Sequence, residues 1–221
     1  AARIELENIG VPEARLGVHH NWVDVDIYCP RDKEKARSDL GWHEKGLHAL
    51  FVGRLLRIKG VEILIQLAAR HSDIQFHVFG AAGEMADEVS LAADNLVNFS
   101  VVSEPGGSGS ARQKSVSTIY NAADLLLVPS IYEEGAATVV LEASSCGTPV
   151  LSSNMGCLPE LVRNDVNGWT VRPDIESFSR KITQISNDDS ILAQTSASAR
   201  RFAEQRFSEA VVEEIISAYG F

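Results

Sequence analysis

A rhythm that sets in at Leu47 constrains the fold more than any other feature. Short, continuous apolar runs occur at 47–52, 74–79, 97–102, 124–128, 150–153 and 169–171, and helical patterns fall between them. In the first, 61–70, the apolar residues Val61, Leu64, Ile65 and Ala68 share one helix face. Others lie at 84–94, 115–122, 137–146 and 157–163. Continuous apolar strands that alternate with helices predict a parallel sheet covered on both faces. After Pro173 only helical patterns follow, at 174–186, 188–205 and 208–219, with Asp174 as the expected N-cap of the first. The predicted fold is α/β, a doubly wound, parallel, six-stranded sheet with carboxyl-terminal helices. Such sheets take the strand order 3-2-1-4-5-6 and bind ligands where the order reverses, between strands 1 and 4.

That reversal selects two loops. The first, 53–60, reads GRLLRIKG and offers glycine backbone, Arg54 and Lys59 at a helix start. The second follows Pro129-Ser130 and carries Glu133, Glu134 and Gly135; the next helix carries Glu142, ends at Gly147 and is followed by Pro149. Glycine lets backbone approach an anion, a helix start supplies unpaired N–H groups, and cations add charge. Carboxylates accept hydrogen bonds from vicinal hydroxyls. A ligand with phosphates at one end and a sugar at the other satisfies both loops. The competing structural reading makes Arg54 and Lys59 two solvated cations, but cations at a helix start oppose its dipole. One of the adjacent pair Glu133 and Glu134 is expected to be solvated, and the Lys59 side chain is expected to be exposed without ligand.

Residues 1–46 read as a leading segment packed on the domain 47–221. It holds a polar helical pattern broken by Gly10 and Pro12, an extended stretch at 18–27, and mixed charges around a short helix at 29–46. The chain has 221 residues, enough for a substantial core, and a net charge of −10, which argues against nucleic acid or an anionic membrane as the main partner. It has no signal peptide and no 18-residue apolar run. Cys29, Cys146 and Cys157 show no metal-ligand spacing and read as reduced thiols of a cytoplasmic protein. The chain starts at Ala1 without a methionine, as an excised fragment or a processed chain would.

Other motifs carry less. The stretch 106–115 ends in Lys-Ser but has Ser108 and Gln113 where a phosphate-binding P-loop needs glycine, so it reads as a flexible loop that closes over the base. His19, His20, His43, His48, His71 and His77 show no metal spacing, and His77 is expected to pack within strand 2. No Gly-x-Ser-x-Gly elbow is present. Trp22, Trp42 and Trp169 are expected to be packing residues. Gly80 and Gly83 fit a strand-to-helix turn as well as a ligand contact.

Four segments in order carry a family resemblance. Asn21-Trp22-Val23-Asp24, the run Gly53-Arg54-Leu55 with Lys59-Gly60, the pair Glu134 and Glu142 seven residues apart, and 146–171 together resemble the donor-binding, carboxyl-terminal domain of GT-B glycosyltransferases of family 4. The resemblance covers roughly residues 8–220. It implies a Rossmann-like half of a GT-B fold, with the amino-terminal acceptor domain absent. It implies that Gly53, Arg54 and Lys59 hold the donor diphosphate and Glu142 the ribose. Glu134 then serves the transferred sugar as the catalytic group, and Gly135, Ala136, Ala137 and Thr138 give backbone contacts to sugar and phosphate. The implied activity is retaining transfer of a hexosyl group from a nucleotide-diphosphate sugar, with no metal and no cofactor, the acceptor sugar or lipid and any membrane surface being met by the other domain. The isolated domain is then inactive.

The chain departs from the family pattern where Ala136-Ala137 stands for a Phe-Gly pair, at Gly80-Ala81-Ala82-Gly83, at Trp22 in place of glycine, and in a longer loop at 103–114. Two alternatives stay open: a nucleotide-sugar-binding module without catalysis, and a GT-B relative such as a phosphorylase or epimerase. Lys114 is the lysine nearest the carboxylates for a pyridoxal cofactor, and its place on the loop before strand 4 disfavours a phosphorylase.

Overall fold

The computed structural model describes residues 6–16, 21–43, 45–80, 82–102 and 108–219. His19, His20, Ala81 and 103–107 lie outside the described residues. Strands β1 (His48–Val52), β2 (Gln75–Phe79), β3 (Phe99–Val101), β4 (Leu125–Val128), β5 (Val150–Ser153) and β6 (Gly168–Val171) form one sheet. All its pairs are parallel, in the order β3-β2-β1-β4-β5-β6. The expected reversal between β1 and β4 is therefore present. The helices are α1 (Lys33–Leu40), α2 (Val61–Arg70), α3 (Ala86–Asn95), α4 (Gly109–Ala122), α5 (Thr138–Ser145), α6 (Leu158–Leu161), α7 (Ile175–Ser186), α8 (Asp189–Arg206) and α9 (Ala210–Tyr219).

Alternation along the strands splits the core into two layers. Leu50, Leu126, Val128 and Val150 point to one face and pack with Ile119, Tyr120, Val140 and Phe202 of α4, α5 and α8. Ala49, Phe51, Leu125, Leu127 and Leu151 point to the other and pack with Leu64, Leu67, Val89 and Phe178 of α2, α3 and α7. Covering both faces is why the strands read as unbroken apolar runs.

The leading segment contributes Val23, Tyr28, Ala36 and Trp42 to the first layer. Lys33 and Arg37 of α1 reach the Asp124 carboxylate at 2.7 and 2.6 Å. Arg200 of α8 donates to the carbonyls of Val25, Tyr28 and Ser145 at 3.0, 3.0 and 2.9 Å, tying that segment to α5. Asp174 caps α7 by accepting from the Ser177 N–H at 2.8 Å, and Gly147 turns the chain after α5 in the left-handed region, at φ 75°. His77 is buried in β2, as expected.

Three expectations need correction. Within the stretch 18–27, residues 25–27 form a turn and not an extended run, because the Asp24 carboxylate accepts from the N–H groups of Asp26 and Ile27. The loop expected over 103–114 is shorter, since α4 already begins at Gly109. Residues 109–114 are exposed all round, so no apolar periodicity marks their helix. Trp22 is 47% exposed and does not serve the core, whereas Trp42 and Trp169 are buried.

Candidate functional site

The two loops at the reversal touch, and a glycine permits it. Gly60 lies at φ 76°, and a Cβ there would run into the Pro129 carbonyl oxygen. The Ile131 N–H donates to the Ile58 carbonyl at 3.0 Å and closes one loop against the other. Lys59 Nζ then meets both oxygens of Glu134, at 2.7 and 2.8 Å. Ser130 Oγ donates to Glu134 Oε1 at 2.5 Å. Behind the carboxylate, Gly156 leaves no room for a side chain against the Glu134 backbone, and the Cys157 N–H donates to the Glu134 carbonyl at 2.8 Å. Glu134 is thus fixed at backbone and side chain. The Lys59 side chain, expected to be exposed, is 26% exposed and paired, because loop contact brings Glu134 to it.

Glu142 lies half-buried on α5. Its Oε2 accepts from the Tyr120 hydroxyl at 2.6 Å. Burial raises its pKa, while hydrogen bonds from Tyr120 and Tyr28 and the charge of Arg112 pull it back. Burial and the carboxylate also push both tyrosine hydroxyls well up, so they donate at neutral pH. Arg112 itself stands over the Phe79 ring, 6.0 Å from its centroid.

Other predicted residues take more open positions. Gly53 follows β1 and donates to the Phe79 carbonyl at 3.0 Å. Arg54 is exposed. Gly135, Ala136 and Thr138 are exposed, and Ala137 is buried. α5 starts after Ala137 with no side-chain cap, and α2 after Gly60 likewise, so both present N–H groups at the carboxyl edge of the sheet. Glu133 is exposed, the solvated member of its pair. The structure brings Lys59 and Glu134 into contact and sets Glu142 on the helix that follows. Sequence reading missed Ser130, Tyr120, Tyr28, Arg112 and Gly156. Only Ser130, four residues before Glu134, lay within reach of a local pattern; the others come from distant elements. Among the described residues, no group of three or more His, Cys, Asp or Glu converges as a metal site, and no helix is long and apolar enough to cross a membrane.

The family model described as "Glycosyl transferases group 1" matches residues 32–204. The D-inositol 3-phosphate glycosyltransferase of Mycobacterium sp. (strain KMS) is 34% identical over 197 residues, which is 86% of this chain and 42% of that protein. The chain therefore spans less than half the length of this curated relative. Among solved structures, HepE of Anabaena in complex with UDP superposes with a TM-score of 0.84 at 23% identity, over 99% of this chain and 61% of that one. The carboxyl-terminal domain of a glycosyl transferase group 1 family protein (LpcC) from Francisella tularensis gives 0.70 at 19% identity, over 85% of this chain and 99% of that one. The two structures share the fold, and the family match covers most of the sequence: this chain belongs to the glycosyl transferases group 1 family.

Proposed function

We propose that the chain is the donor-binding, carboxyl-terminal half of a retaining, family 4 glycosyltransferase that moves a hexosyl group from a nucleotide-diphosphate sugar. In this reading 47–221 is the nucleotide-sugar domain and 1–46 a segment packed on it. The Lys59–Glu134 pair, which joins the two loops, carries the reading. An incoming diphosphate takes Lys59 and Arg54, and Glu134 turns its oxygens to the sugar hydroxyls. The buried Tyr120 hydroxyl donates to Glu142 Oε2 and Tyr28 also hydrogen-bonds the carboxylate, whose remaining lone pairs would accept from the ribose. The N–H groups around Gly135–Thr138 face the sugar and phosphate. The two cations offset the leaving diphosphate's charge, so no metal is required. HepE of Anabaena has been solved with UDP and with UDP-glucose, which makes a uridine donor the first to try. The three cysteines are unpaired, as a cytoplasmic setting would have them.

The site lies open on one edge of a sheet. An acceptor held by a second domain would exclude water and align the reactants, an effect that contributes about 7–11 kcal/mol. The chain alone should bind UDP-glucose but not transfer glucose at an enzymatic rate. Calorimetry with UDP and UDP-glucose should show one site that persists in EDTA, and labelled UDP-glucose should give no acceptor product. Binding that vanishes in EDTA and returns with magnesium would remove the metal-free reading. Turnover near ~1 s⁻¹ would make the chain a complete enzyme.

A further inference from the structure

At the far edge of the sheet, β5, β6 and α7 border an open groove of about 460 Å³. Its lining includes Arg172, just past β6, and Arg180 and Lys181 of α7, with the polar side chains of Asn154, Thr170 and Ser177. No carboxylate lines it, in a chain whose net charge is −10. The nearby Asp174 is already engaged: it caps α7 at the Ser177 N–H and meets Arg172 through Nε at 3.2 Å. Lys181 stands 5.9 Å from the Trp169 ring centroid and donates to Gln184 at 2.9 Å, which holds its ammonium at the groove. Three cations gathered around hydroxyl and amide groups match a compact anion that accepts hydrogen bonds on several oxygens.

We propose that this groove is a second anion site, suited to a phosphate or phosphomonoester and separate from the position of the donor diphosphate. The proposal does not depend on the donor reading, since it uses none of the same residues. It does place the two sites in communication. Asn154 lines the groove and its N–H bonds the Val171 carbonyl at 2.9 Å. Two residues further on, Gly156 packs on the Glu134 backbone, and the Cys157 N–H bonds its carbonyl. An anion that orders Asn154 and Arg172 therefore acts on the segment that supports Glu134.

The test is calorimetry with inorganic phosphate and with glucose 6-phosphate, each with and without saturating UDP. One equivalent should bind whether or not UDP is present. The double variant Arg172→Gln/Arg180→Gln should weaken it by at least about tenfold, with Lys59→Ala leaving it unchanged. Both arginines are exposed, so circular dichroism of the double variant should match the wild type. Binding of glucose 6-phosphate that exceeds inorganic phosphate makes the occupant a phosphomonoester, and equal binding makes it free phosphate. No binding at about 10 mM, displacement by UDP, or equal loss in Lys59→Ala would overturn the proposal.

Discussion

At the amino ends of the strands, Asp124 takes Lys33, Arg37 and the His48 N–H, and His77, in the middle of β2, joins that network between the Trp42 ring and the His48 and Ser100 side chains. At the carboxyl ends, Arg54 stands exposed, Glu142 is held by two tyrosines, and α2, α3, α4 and α5 begin without a side-chain cap. Three other helices are capped: Asp32, Asp174 and Asp188 accept from backbone N–H groups of α1, α7 and α8. A cap contributes about 1 kcal/mol. The carboxyl edge forgoes that stabilisation in several helices and keeps N–H groups open to an anion. One end of the sheet thus satisfies its polar groups internally, and the other leaves several helix starts uncapped and Arg54 exposed.

Lys59→Ala should separate the two ends most sharply. A hydrogen bond to a charged group contributes about 1.5–3 kcal/mol, so UDP affinity should fall about 10- to 150-fold. Uridine, which has no phosphate, should bind within about twofold of wild type. Stability should change by less than about 1 kcal/mol, because the pair is partly solvated and Glu134 keeps the Ser130 hydroxyl. Calorimetry with both ligands checks this, and equal losses would take Lys59 out of the diphosphate site.

The closed end should instead show itself in acid. Burial first, then the charges of His48 and Arg37, push His77 down to about 3, while Asp124 pulls the other way. The fold therefore favours neutral His77. Its contribution is complete above the unfolded value near 6.5 and is lost as the pH falls towards 3. At pH 5 the loss should be about 2 kcal/mol. Urea denaturation at pH 7.5 and pH 5 should show that loss in the wild type and a smaller one in His77→Gln, with UDP affinity at pH 7.5 unchanged. An equal acid loss in both proteins would place the acid sensitivity elsewhere.

The same contrast explains what the sequence could disclose. Strand order, both core layers and the two loops were legible because burial on both faces writes unbroken apolar runs, and the reversal follows from chain order. Glu134 and Glu142 were legible as polar residues at the edge of such a sheet. The pairing of Lys59 with Glu134 was not, because it depends on Gly60 fitting against Pro129, a contact across 69 residues of chain. Tyr120 was also invisible: from the sequence it is another buried aromatic residue of α4, and only packing turns its hydroxyl to Glu142. The start of α4 carries no apolar stripe, so its exposed first turns read as loop.

Glu142→Gln should give the smallest effect, and it tests how far the open end has been shaped for ribose. The carboxylate accepts from Tyr120 through Oε2 and also from Tyr28, and its remaining lone pairs can accept from a ribose hydroxyl. An amide has a single acceptor oxygen to share between the tyrosines and the ligand and presents a donor in place of the second oxygen. The preference for UDP over 2′-deoxy-UDP should therefore narrow by about three- to tenfold, or ~1 kcal/mol. Stability should not fall. Burial raises the pKa of Glu142, so the fold favours its protonated form, and the charged carboxylate subtracts stability at neutral pH. The neutral glutamine removes that cost, and its variant should be as stable as the wild type or slightly more so. An acid kept at a ligand edge at some expense to the fold is expected of a binding group. Calorimetry with the two nucleotides and a urea titration measure both quantities. A ratio that does not move, together with a loss of stability, would make Glu142 a structural acid that serves Tyr120 and not the ribose.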